Sequence, residues 1–211
     1  DNIIHLVLAR TLDAPEGVKG ISLFIVPKIL ENGAHNDLQC TGLEHKLGIH
    51  ASPTCTMQFG DSEGAIGYLV GQENEGLKYM FTMMNNARLS VGLQGVAIAE
   101  RAYQHALSYA LDREQGTSLT DKNQKISIAN HPDVKRMLLS MKVKIEAARA
   151  LTYEAALALD LAKVGDRKQQ ERVEILTPIV KACCTDMAVD IGSTGIQTVS
   201  YTHLTLPTTV S

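Results

Sequence analysis

Apolar residues change their spacing near residue 73. Before it they come in short runs: Ile3, Ile4, Leu6, Val7 and Leu8, then residues 21–27, 37–44 and 54–59. Turn formers separate them, first Pro15, Gly17 and Gly20, later residues 31–36. Short strands at this spacing predict an antiparallel sandwich or barrel. The 21–27 run lacks polar alternation, which predicts burial on both faces.

After Gly71 the period is helical. Leu77, Phe81, Met84, Arg88, Val91 and Gly95 follow steps of four and three and share one stripe. The pattern predicts a helix from Glu75 to Arg113, in which Gly92, Gly95, Ala97, Ala99 and Ala102 admit a close neighbour. Residues 116–129 are polar and read as a loop. Asn130-His131-Pro132-Asp133 reads as a helix start, with Asn130 as cap, Pro132 in the first turn and Asp133 beside the positive end of the dipole. The second stripe runs through Val134, Met137, Leu138, Met141, Ile145, Ala148 and Leu151 toward Lys163, and Gly165-Asp166 breaks it. A third helix is expected over 169–191, with Pro178 at its start or at a kink. Strands first and long helices after define the α+β class: a partial antiparallel β domain followed by an antiparallel α-helical bundle.

Composition narrows the function. The chain has 211 residues, 45% of them hydrophobic and 20% charged, enough to bury a core and too apolar for intrinsic disorder. Its net charge of -3 argues against a nucleic-acid partner. The apolar runs are too short to cross a bilayer, and no secretory signal opens the chain, so a cytoplasmic protein is expected. Because it starts on a strand-like run without Met, the sequence is expected to be a piece of a longer protein. Cys40, Cys55, Cys183 and Cys184 lack metal-ligand spacing and read as reduced, partly buried thiols. No GxGxxG, P-loop or GxSxG motif is present.

A few side chains carry candidate chemistry. Arg88, on the apolar stripe, either snorkels to solvent or presents a guanidinium to a phosphate or carboxylate. Arg113 suits the negative end of the first helix, with Gly116 as its stop. His50 reads as a loop histidine, and Glu44, Asp61 and Glu63 as solvated charges.

Several segments together resemble the acyl-CoA dehydrogenases: Lys46-Leu47-Gly48, then Gly-Gln-Glu-Asn-Glu-Gly-Leu-Lys at 71–78, then Asn85-Asn86-Ala87-Arg88. The last is Tyr109-Ala110-Leu111-Asp112-Arg113-Glu114-Gln115-Gly116. The resemblance covers nearly all of residues 1–197. It is closest to the branch acting on short or sulfur-containing acyl chains, the 3-methylmercaptopropionyl-CoA dehydrogenase-like branch. It implies residues 1–72 as the later part of a middle β domain and 73–197 as the first helices of a C-terminal bundle. Residues 198–211 depart from the family pattern, are rich in Thr and resemble translated adapter read-through. They are expected to be foreign.

The resemblance also implies chemistry. FAD lies between β domain and bundle and touches a neighbouring subunit's bundle. A glutamate removes the α-proton of an acyl-CoA, the β-hydrogen leaves as hydride to the flavin, and a trans-2-enoyl-CoA results. Electrons pass to an electron-transferring flavoprotein, and the protein assembles as a homodimer or homotetramer. Asn85 and Arg88 match the substrate-side pair that meets the CoA portion. Arg113 matches the arginine that meets the FAD pyrophosphate, with Gln115, His131 and Gln197 on the same cofactor path. No residue matches the catalytic base: its usual position has no counterpart, and Ala87 fills the alternative one, so the chain alone is expected to be inactive. An acyl-CoA oxidase, and a non-catalytic, DNA-binding alkylation-response relative, are the alternatives on the same fold.

Overall fold

The computed structural model describes residues 2–200. They form two compact units that divide between Met84 and Asn85.

In the first unit, β1 (Ile4–Ala9) runs antiparallel to β2 (Ser22–Pro27), with Ile4 opposite Pro27 and Ala9 opposite Ser22. A two-residue strand, β5 (Tyr68–Leu69), pairs with the other edge of β2. A second ladder joins β3 (Leu38–Leu43) to β4 (Cys55–Phe59). His5 and Phe59 meet edge to face across the two ladders, 6.0 Å between ring centres. β2 is less covered than its apolar run predicts: Leu23 and Val26 are buried but Ile25 is exposed.

Two polar residues organise the turns of this unit. Asn36 is buried, and its amide donates to the carbonyls of Pro27 and Ile66, each at 2.8 Å, while its oxygen accepts from the backbone N–H of Asp37 and of Ile66. Asp37 gathers three N–H donors, from Ser62, Glu63 and Gly64, on one carboxylate oxygen. These bonds hold its carboxyl below the usual range.

The helix α1 (Gly76–Asp112) begins in the first unit and continues into the second. Its start is fixed by the 71–78 motif. A side chain at Gly76 would collide with the Ser22–Leu23 backbone. Ser22 accepts from the Asn74 N–H at 2.8 Å, and the Tyr79 hydroxyl donates to Glu75 at 2.7 Å.

In the second unit α1 packs with α2 (Pro132–Lys163) and α3 (Arg167–Val199). Gly92 faces Val180, Gly95 faces Cys184 and Ala102 faces Gly195, so α1 and α3 run parallel. Arg149 of α2 meets Glu100, and Met137 of α2 meets Thr198, so α2 runs antiparallel to both. The core holds Met141, Ile145, Val180, Cys184 and Ile191 against Ala99, Ala106 and Ala110. The small residues of α1 set this close approach. The predicted stripe is covered only in part: Phe81 is 40% and Met84 38% exposed, and the true seam runs through Gly92, Val96, Ala99, Ala106 and Ala110.

Four further details differ from the sequence reading. The expected 116–129 loop contains a hairpin, β6 (Glu114–Thr117) with β7 (Lys125–Ser127), and Ile128 enters the core. The apolar-polar alternation Ile126-Ser127-Ile128 is the strand signal inside that polar stretch. The α2 N-cap is His131 rather than Asn130, because Pro132 takes the first helical position and Asn130 bonds Ser127 instead. α3 starts at Arg167, capped by Asp166, and passes through Pro178 without ending. It also continues through Thr198 and Val199, both buried, which the sequence reading placed in the foreign tail. The rest of that tail, from residue 201, lies outside the described residues.

Candidate functional site

The predicted site residues fall into two groups on the bundle. Asn85 and Arg88 lie on the same face of α1, one turn apart, and Arg88 Nη1 donates to Asn85 Oδ1 at 3.4 Å. They line a cavity of about 160 Å³ with Gln170, Val173, Glu174, Thr177 and Pro178 of α3. Pro178 has no N–H, so the Glu174 carbonyl, one turn earlier, lacks its ordinary helix donor. The cavity therefore combines a guanidinium, two amides and a carboxylate with an apolar wall, a set that orients a polar ligand through hydrogen bonds. The α3 side of this cavity was not foreseen. Its only sequence signal is a proline inside a helical period.

The second group lies at the other end of α1. Arg113 follows the last turn. Its N–H bonds the Tyr109 carbonyl at 2.9 Å, and its carbonyl accepts from Ile128 at 2.8 Å, while its side chain is exposed. The hairpin then folds Gln115 back onto the start of α2, where His131 Nε2 meets the Gln115 carbonyl at 2.7 Å. A carbonyl only accepts, so His131 carries its proton on Nε2 in this contact. Gly116, at φ +76°, makes room: a Cβ there would sit 3.3 Å from the His131 ring. Gln197 is exposed on the last turn of α3, beside Thr198, whose hydroxyl touches Met137 of α2. The structure thus joins Gln115 to His131 and places Arg113 and Gln197 at the same end of the bundle.

The two groups are far apart. From Arg88 to Arg113 is 25 positions of one helix, about 37 Å at 1.5 Å per residue. Among the described residues no three His, Cys, Asp or Glu side chains gather as metal ligands, and no helix is long and apolar enough to cross a membrane.

Antiparallel ladders in the first unit and three up-down-up helices in the second place the chain in the α+β class. The chain belongs to the acyl-CoA dehydrogenase family: the model of the acyl-CoA dehydrogenase C-terminal domain matches residues 74–202. It is 53% identical over 207 residues to 3-methylmercaptopropionyl-CoA dehydrogenase of Ruegeria pomeroyi, covering 93% of this chain and 35% of that one. It is 40% identical over 213 residues to a butyryl-CoA dehydrogenase of Syntrophomonas wolfei, with the same coverage. Among solved structures it is similar to Caenorhabditis elegans ACDH-11 in complex with C11-CoA. The TM-score is 0.79 at 26% identity, over 93% of this chain and 32% of that one. The chain spans about a third of the length of these relatives.

Proposed function

We propose that this chain forms the substrate-facing and cofactor-facing ends of the bundle in an FAD-dependent acyl-CoA dehydrogenase that takes a short or sulfur-containing acyl-CoA. The observation that carries this reading is the placement of two guanidiniums, Arg88 in a cavity with Asn85 and Arg113 beside the His131–Gln115 contact. The acyl class is supported by the 53% identity to a 3-methylmercaptopropionyl-CoA dehydrogenase.

The Arg113 end suits the pyrophosphate of FAD. Arg113 offers a fork of donors, and no side chain caps the first turn of α2, so its N–H groups stay open to an anion. His131 and Gln115 hold the hairpin against that helix start, and Gln197 adds an exposed amide. When bound, FAD supplies hydride acceptance from the β-carbon. Arg88 and Asn85 bind the CoA portion and so fix the acyl chain relative to the flavin. No proton acceptor is assigned to this chain, since Ala87, beside Arg88, has no titratable group. Arg113, Gln115, His131 and Gln197 would hold the FAD, which would supply electrons for an electron-transferring flavoprotein, and the enzyme works as a homo-oligomer.

The test uses the full-length enzyme that contains this segment. Arg88→Ala is expected to raise KM for 3-methylmercaptopropionyl-CoA at least tenfold with flavin content unchanged. Arg113→Ala is expected to lower retained flavin. A wild-type enzyme without flavin absorbance, or an Arg88→Ala enzyme with unchanged KM, defeats the proposal.

A further inference from the structure

β3 and β4 pair with Cys40 opposite Met57 and Cys55 opposite Leu43, and the register slips between Cys40 and Gly42. Thr41 is the extra residue of that bulge, where a strand bends and its twist tightens. Alternation along β4 sets Cys55, Met57 and Phe59 on its more covered face. Cys40, opposite Met57, shares that face. Cys40 and Cys55 are therefore diagonal neighbours across the ladder, on either side of the bulge that bends β3.

Burial pushes the Cys55 thiol up, and its hydrogen bond with Cys40 pushes the same way, while the charge of Lys46 opposes both. Lys46 is held near them by the carbonyls of Ile49 and Ser52. Cys40 is exposed and Cys55 half-buried, so an oxidant reaches Cys40 first. The other two cysteines behave differently. Cys183 and Cys184 are neighbours on α3, pointing about 100° apart, and Cys184 is buried against Thr152.

We propose that Cys40 and Cys55 are a thiol-oxidation site, which hydrogen peroxide converts to an intrachain disulfide across the β3–β4 ladder. The Cys40 thiolate attacks one peroxide oxygen and the O–O bond breaks. This leaves a sulfenic acid on Cys40 and a hydroxide that takes a proton to become water. The Cys55 thiolate then attacks the Cys40 sulfur. The S–S bond forms, the S–O bond breaks, and the second hydroxide leaves as water. Two thiols are oxidised to one disulfide, and one peroxide is reduced to two waters. The bond closes residues 40–55, including the Lys46 turn, into a covalent loop.

Trypsin cuts after Lys46 and so separates the two cysteines onto peptides 29–46 and 47–78. The folded full-length enzyme that contains this segment is treated with hydrogen peroxide, alkylated without reduction, digested and weighed. The expected result is one species joining the two peptides, two hydrogens lighter than their sum, which a reductant splits. The free-thiol titre falls by two, and Cys40→Ser or Cys55→Ser abolishes the species. In urea the pairing loses its preference and linkages to Cys183 and Cys184 appear. The proposal is overturned if the folded enzyme yields the 29–46/47–78 species no more than the urea-treated enzyme. Cys40 ending as sulfinic acid alone, or joined mainly to Cys183, overturns it equally.

Discussion

Arg149 on α2 donates to Glu100 on α1 at 2.6 Å, and Gln104, one turn further along α1, donates to the other oxygen of the same carboxylate at 2.8 Å. Arg149 and Glu100 are 33% and 29% exposed, covered enough for the pair to matter. The Gln104 bond first, and then Arg149, hold the Glu100 carboxyl below its ordinary 4.5. A depressed carboxyl stabilises the fold fully above that ordinary value. The contribution is lost as pH falls through the lower folded-state value. Glu100→Gln is therefore expected to cost about 1 kcal/mol at pH 7. The gap to wild type should close in urea unfolding at progressively acid pH. A gap that widens toward acid contradicts this assignment.

The α1–α3 seam makes a sharper forecast about glycines. A Cβ at Gly95 would lie 2.5 Å from the Cys184 carbonyl oxygen, and one at Gly92 would collide with Val180. Backbone cannot yield as a flexible side chain does, so Gly95→Ala should cost about 1–3 kcal/mol. Gly192, also within a helix, has nothing within 4 Å of its Cβ position. Gly192→Ala should add about 0.5–1 kcal/mol by removing freedom from the unfolded chain. Thermal melts of the two variants moving in opposite directions would confirm the seam.

Asn36 should be the most sensitive polar position of the β unit. Its truncation strands two carbonyls and two N–H groups at a buried site. Asn36→Ala is expected to cost about 2–3 kcal/mol. Asn32→Ala removes one exposed bond to the Ala34 N–H and should cost under about 0.5 kcal/mol. Equal losses for the two in denaturant titrations would show that the Asn36 bonds carry no special weight.

The hairpin at the end of α1 depends on one ring. His131→Ala removes the 2.7 Å contact to the Gln115 carbonyl and should destabilise the hairpin by about 1 kcal/mol. Native-state hydrogen exchange is the direct check. The Ile128 amide, bonded to the Arg113 carbonyl, should exchange roughly fivefold faster, while amides in the middle of α2 stay protected.

Periodicity carried the architecture because both element types write their period into the sequence. β1 and α2 emerged close to their predicted bounds: the α2 stripe is the face that helix buries, while β1 came from its β-rich run, of which Ile4, Leu6 and Leu8 stay exposed. Where burial came from contacts distant in sequence, the pattern was silent. Asn36 looks like any turn asparagine, and its Ile66 partner lies 30 residues away. Phe81 and Met84 sit on a helical stripe yet are exposed, and within the second unit α3 approaches α1 through Gly92 and Gly95. On α1 the candidates were legible only as residue types, Arg88 on the apolar stripe and Arg113 just past the helix end, and the resemblance supplied their expected roles. Gln170 and Glu174 were not, because only the return of α3 beside α1 brings them to Arg88.

The parallel course of α1 and α3 fixes which defects can compensate one another. One rigid helix carries Arg88 near its start and Arg113 past its end, too far apart to grip the same small molecule. On the proposed reading as a homo-oligomer, each centre would draw its CoA contact and its pyrophosphate contact from different copies. A subunit damaged only at Arg88 and a subunit damaged only at Arg113, each impaired in its own assembly, would then restore some intact centres when unfolded together and reassembled as a mixture.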